Sequence, residues 1–76
     1  MVPAPRRLRA FPNAVRVKPM SVRRRWFDGE AGYIYERDYQ HGRVERYDRR
    51  GHHLGEFDPD TGAMTKPADP DQMIEI

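Results

Sequence analysis

From Tyr33 onward the chain runs as short stretches of apolar and polar residues, each closed by a turn signal. Tyr33-Ile34-Tyr35-Glu36-Arg37-Asp38 is rich in aromatic and β-branched residues and predicts a strand. A glycine-containing loop over Gln40–Arg43 follows, and Val44-Glu45-Arg46-Tyr47-Asp48 predicts the return strand. Arg49-Arg50-Gly51 makes the next turn, and His52–Phe57 predicts a third strand weakened by Gly55. Asp58-Pro59-Asp60-Thr61-Gly62 is a strong turn, because proline presets one backbone angle and glycine accepts a positive one. Ala63–Lys66 predicts a short fourth strand and Met73–Ile76 an edge strand beyond Pro67 and Pro70. Strands spaced by roughly eight to twelve residues with turns between them predict an antiparallel meander. The fold class is mainly β: a small, highly twisted antiparallel sheet, with no internal repeat and no helix of convincing length.

The first third of the chain follows no such pattern. Met1–Met20 contains Pro3, Pro5, Pro12 and Pro19 and sustains neither a helical nor an alternating period, which predicts an extended, irregular arm. The domain reading is therefore a basic, proline-rich arm or linker over residues 1–24 and a folded domain over 25–76. In Arg23-Arg24-Arg25-Trp26-Phe27 the two rings are expected to anchor the start of the core, and Asp28–Gly32 reads as a turn.

Charge sharpens this division. The net charge of +2 conceals eight bases and no acid in residues 1–27, against six bases and twelve acids in residues 28–76. A basic arm can track a phosphate backbone by releasing counterions; a solvated tail is the plain alternative. The low apolar fraction of 37% predicts a thin core. No apolar run approaches the roughly 20 residues needed to span a bilayer, so no membrane segment is expected. The N-terminal prolines and charges exclude a secretion signal, and a transit peptide would need more serine than Ser21 alone supplies. Without cysteine there is no disulfide, thiolate nucleophile or cysteine metal ligand.

The candidate chemistry lies in Asp38-Tyr39-Gln40-His41-Gly42-Arg43-Val44-Glu45. A four-residue loop at Gln40–Arg43 sets Asp38 directly opposite Glu45 on one face of a hairpin, with His41 able to fold back onto Asp38. Facing carboxylates repel, so the arrangement gives a purely structural sheet nothing; a three-residue loop would send the two acids to opposite faces. RNA cleavage needs no protein nucleophile, because the 2′-hydroxyl of the substrate attacks the phosphodiester. It needs a base for that hydroxyl, an acid for the leaving 5′-oxygen and cations for the phosphate. Glu45 fits the base. His41 fits the acid, since imidazole titrates near neutrality and a neighbouring carboxylate favours its charged form; the two roles can also be exchanged. Ser21 stands far from any histidine, which argues against a serine hydrolase. No metal or other cofactor is expected: His52 and His53 are adjacent strand residues that point to opposite faces, and the Asp58-x-Asp60-x-Gly62 stretch lacks the terminal glutamate of a calcium loop.

Arg25-Trp26, Ile34-Tyr35-Glu36-x-Asp38-x-Gln40-His41-Gly42, Glu45-x-Tyr47, His53-Leu54-Gly55-x-Phe57-Asp58-Pro59-x-Thr61-Gly62 and Asp69-Pro70 occur in an order and spacing that resembles the ribosome-inactivating ribonuclease domain of the colicin and cloacin family. The resemblance runs from about Arg25 to Pro70. It implies a highly twisted antiparallel sheet and metal-independent cleavage of small-subunit (16S) ribosomal RNA at the decoding site, leaving a cyclic phosphate and halting translation. Asp38, His41 and Glu45 fall on the family's catalytic positions, and Tyr47 and Lys66 on its nearby tyrosine and lysine. It also implies the ribosome as target, an acidic immunity protein as partner, and action in the bacterial cytoplasm. The family's catalytic arginine falls on Gln72, and glutamine brings no charge to hold a phosphate. Arg43, Arg46, Arg49 and the cluster containing Arg25 are the arginines that could substitute, with Arg43 and Arg25 taken as RNA-binding. The alternatives are a weakened RNA- or ribosome-binding module of the same fold, or the same chemistry on another RNA such as transfer RNA. No receptor-binding or translocation segment fits in this length, so a stand-alone toxin or the toxic end of a larger one is expected.

Overall fold

Four aspartates ten residues apart, Asp28, Asp38, Asp48 and Asp58, set the turns of the fold. In the computed structural model, which describes residues 7–17, 24–38 and 40–74, each carboxylate accepts the backbone N–H of the residue two places on: Glu30, Gln40, Arg50 and Asp60. Asp28, Asp38 and Asp58 also accept from Ala31, His41 and Thr61. In the same three turns the glycine four places on, Gly32, Gly42 or Gly62, returns its N–H to the aspartate carbonyl. Its positive φ is what that closure requires, +67° at Gly42. An Asp-x-x-x-Gly turn is thus used three times, a repeat the sequence reading did not register.

The strands between these turns form one six-stranded antiparallel sheet in sequence order. They are β1 (Val15–Val17), β2 (Arg25–Asp28), β3 (Tyr33–Asp38), β4 (Arg43–Tyr47), β5 (His53–Phe57) and β6 (Met64–Lys66). The meander and the mainly-β class are as expected, and β3 has the expected bounds. The β3–β4 register is not: Asp38 pairs with Arg43 and Glu36 with Glu45. The aspartate turn pulls the four-residue loop back by one, to residues 39–42, because Asp38 must both end the strand and bind the turn amides. Side-chain period is two, so this two-residue change of partner keeps Asp38 and Glu45 on one face while separating them diagonally.

One face is the core. Trp26, Tyr35, Val44 and Phe57 form a buried cluster with Leu8 and Ala14, and Phe11 and Tyr33 pack against it. Leu8, at 1% exposure, and Ala14, at 4%, correct the reading of residues 1–24 as a separate arm. Phe11 stacks on Tyr35 at 4.8 Å and meets Phe57 edge-on at 5.9 Å. Ala10 N–H bonds the Pro59 carbonyl at 2.9 Å, and β1 pairs with β2. Residues 8–14 therefore serve as the layer that a one-sheet domain otherwise lacks. The remainder of that reading, Met1–Arg6 and Lys18–Arg23, lies outside the described residues.

Trp26 is fully buried whereas Phe27 is 38% exposed, so only one of the two expected anchor rings reaches the core; neighbours on a strand face opposite ways. Gly55, read as a weak point of its strand, is a close-approach site. It has φ +145°, and a Cβ there would meet the Lys66 carbonyl oxygen at 3.1 Å and the Phe57 ring at 3.2 Å. Beside it a bulge sets His53 opposite Tyr47 and Gly55 opposite Arg46. The expected Met73–Ile76 edge strand reduces to one bridge, His52 to Met73; Glu75 and Ile76 lie outside the described residues.

Candidate functional site

On the other face the register lines up Arg25, Glu36, Glu45, Glu56 and Lys66 across β2 to β6. Three adjacent glutamates repel and are tolerated only if each charge is answered. Glu36 takes the Arg25 guanidinium at 2.8 Å. Glu45 takes His53 Nε2 at 2.6 Å. The Asp69 N–H donates to His53 Nδ1 at 2.9 Å, which leaves the ring proton on Nε2, aimed at Glu45. Glu56, 3% exposed, accepts Thr65 Oγ1–H at 2.6 Å, while its other oxygen is buried with no partner among the described residues.

At the end of this face His41 folds back as expected: its Nδ1 lies 2.9 Å from Asp38 Oδ2. With Nδ1 committed, Nε2 is the nitrogen left to exchange a proton, and the side chain is half exposed to a ligand. Burial works to raise the Asp38 pKa, but hydrogen bonds from His41 and from the Gln40 and His41 amides outweigh it and hold the carboxyl below its ordinary value. Asp38 is thus an ionised group that fixes the ring. Asp38, His41 and Glu56 bring one ligand-type atom each within 4.8 Å of one another. The sequence by itself assigns no part in the site to His53, Glu56, Glu36 or Thr65. Glu36 and Glu56 follow from strand alternation once the registers of β3, β4 and β5 are known, and His53 reaches Glu45 only through the bulge beside Gly55.

Glu45 and His53 open onto a shallow cleft of about 390 Å³, lined also by Lys66, Gln72 and residues 67–70. A family model described as Cytotoxic matches residues 2–75 of the chain. The chain belongs to this family of colicin-type cytotoxic domains. It is 46% identical over 54 residues to cloacin and to colicin E3 of Escherichia coli, and 44% identical to colicin-E6 of the same organism. Each alignment covers 70% of this chain and 10% of the relative, so the chain matches about a tenth of these proteins' length.

Among the site residues taken from the resemblance, this cytotoxic domain sorts the cations sharply. Arg46 stands on the core face, its guanidinium 4.1 Å from the Phe57 ring and 4.4 Å from that of Tyr33, with Tyr35 and Phe11 completing the cage. It cannot reach the Asp38 face and is removed as a substitute for the family arginine. Arg49 bonds the Gly29 carbonyl at the opposite end of the sheet and is removed likewise. Arg43 shares the Asp38 face, donating to the His41 carbonyl at 3.4 Å. Arg25 shares it too but is committed to Glu36. Lys66 is exposed on the cleft wall. Tyr47 is 1% exposed, and its hydroxyl accepts the Gln72 amide at 2.7 Å, so in this arrangement it presents no surface to a ligand. His52 is exposed and His53 buried, the opposite facing expected of strand neighbours.

Proposed function

We propose that this domain is a ribonuclease toxin that cuts small-subunit ribosomal RNA at the decoding site without a metal, and so stops translation in the bacterial cytoplasm. One observation carries the reading: two oriented proton-transfer pairs, His41 with Asp38 and Glu45 with His53, stand on one face of the sheet. In this reaction Glu45 accepts the proton of the 2′-hydroxyl, O2′ attacks phosphorus, the bond from phosphorus to O5′ breaks, and His41 protonates the leaving O5′. The products are a 2′,3′-cyclic phosphate and a free 5′-hydroxyl; exchange of the two roles gives the same products. Among the described residues, Lys66 and Arg43 are cations on this face that can serve the phosphate. The names of the aligned relatives and the family match support this reading, and the inhibitory partner proposed with it is an acidic immunity protein.

The test is incubation with bacterial ribosomes. A short 3′ fragment of the small-subunit RNA is expected, unchanged by chelator. His41→Ala or Glu45→Gln should slow its appearance by about 10²–10⁴-fold, the usual contribution of one general acid or base. Intact RNA after incubation with folded wild-type protein would sink the proposal.

Gln72 favours a second reading, a binding module whose chemistry is weakened. Its amide carries no charge and is already engaged by Tyr47. That reading predicts steeply salt-dependent ribosome binding with little cleavage, restored in Gln72→Arg. Cleavage of transfer RNA with ribosomal RNA left intact would point to the same chemistry on another substrate.

A further inference from the structure

Glu56 is the glutamate in the row whose charge goes unanswered. Glu36 has Arg25 and Glu45 has His53, whereas Glu56 has only the neutral hydroxyl of Thr65 and, among the described residues, forms no ion pair. Its side chain is nonetheless almost wholly buried, with one oxygen sealed from water and unbonded. A buried carboxylate left in this state is costly unless a positive charge joins it. Its cross-strand neighbours are Glu45 and Lys66, and Lys66 makes no ion pair with it; a second carboxylate, Asp38, and an imidazole, His41, each place one donor atom inside the same 4.8 Å cluster.

We propose that Asp38, His41 and Glu56 form a binding site for a divalent cation of the zinc class. One nitrogen and two carboxylate oxygens are a donor set that suits such an ion. Bonds of about 2.0–2.2 Å place tetrahedral ligand atoms about 3.3–3.6 Å apart. Reaching that spacing from 4.8 Å takes a contraction of about 1.2–1.5 Å, which the half-exposed His41 can make within its turn. Glu56 would supply the rigid ligand, oriented by Thr65 as outer-shell partners orient metal carboxylates. The consequence rests on the ribonuclease reading above: a cation here occupies the imidazole that would handle the proton and the Asp38 carboxylate that orients it, and so switches cleavage off.

Two measurements on the intact chain test this. Titration with zinc chloride in a calorimeter, and with cobalt(II) chloride followed by visible absorption, should report one site per molecule. Glu56→Gln keeps the shape and removes the charge; with its fold checked by circular dichroism it should bind at least about tenfold more weakly, since even outer-shell partners are worth 10–100-fold. No uptake by the wild type, equal uptake by Glu56→Gln, or uptake that falls instead in His52→Asn overturns the site. A proton rather than a cation on Glu56 would appear as the first of these. In the second measurement zinc should suppress RNA cleavage by the wild type in step with occupancy, and do so only at far higher concentration for Glu56→Gln. Cleavage unaffected or raised at full occupancy overturns the inhibitory role. A wild type that binds zinc but never cleaves RNA defeats the ribonuclease reading and, with it, the inhibitory role, while the site stands on the binding data.

Discussion

His53 is the residue on which the candidate base depends. It is buried between Glu45 and the Asp69 amide, and both ring nitrogens are committed, one as acceptor and one as donor. Such a ring holds Glu45 in one rotamer and makes its carboxylate accept a short hydrogen bond, without itself touching a substrate. Loss of comparable outer-shell partners costs roughly 10–100-fold in activity. His53→Phe is therefore expected to lower cleavage by that order, while His53→Gln, which keeps a donor toward Glu45, recovers much of the loss. Equal losses in both variants would assign His53 to structure alone. The sequence offers His53 as one half of a rejected metal pair and as a residue of the family motif, with no role at the site, because nothing local says that residue 53 lies across the sheet from residue 45. Asp38 and His41 were legible, since three residues within one turn meet whatever the rest of the chain does.

At the scale of the element, the aspartate turns decide where β3, β4, β5 and β6 begin. Asp28–Gly32 and Asp58–Gly62 were both read as turns from sequence; Asp38–Gly42 carries the same spacing, and reading it alike gives the observed Asp38–Arg43 pairing. The Asp38 carboxylate, which must take the Gln40 and His41 amides, and not the glycine alone, fixes where the loop begins. These turns also set the response to acid. Hydrogen bonds from the His52 amide to Asp48 and from the Asp60 amide to Asp58 hold both carboxyls below the ordinary value of 3.8. A depressed carboxyl stabilises the fold fully above its unfolded pKa, and that contribution fades as pH falls through the lower folded pKa. Melting temperature followed from about pH 5 downward should hold until near pH 4 and then fall. Asp58→Asn, which keeps the acceptor but cannot titrate, should show a shallower fall, and a curve identical to wild type would remove Asp58 from this account.

At the scale of the molecule, a single sheet of short strands must find a second layer, and this chain finds it in its own first residues. Leu8, Phe11 and Ala14 close the core over Tyr35 and Phe57. Small domains have little burial to spare. Leu8→Ala is accordingly expected to cost about 2–5 kcal/mol, read from denaturant unfolding; a cost within experimental error would restore the picture of a dispensable arm. This placement also revises the electrostatics. Residues 8–14 cover the core face, opposite the one bearing Asp38, His41 and Glu45. Among the described residues, Arg25, Arg43 and Lys66 stand on that second face, and Arg25 is committed to Glu36.

What the sequence determined by itself was local: the strand at Tyr33–Asp38, the turns at Asp28 and Asp58, the meander, and the approach of His41 to Asp38. Each depends on residues a few places apart, where propensity, turn chemistry and short hydrogen bonds act with little help from the rest of the chain. The tertiary structure alone decided which residues share a face across five strand pairings. It set three glutamates side by side, gave His53 to Glu45, caged Arg46 in aromatic rings on the wrong side for catalysis, and folded a proline-broken basic segment into the core. The physical reason is that register accumulates: one residue of error in a single turn changes every partner beyond it, and no local preference corrects that error until the whole sheet has formed.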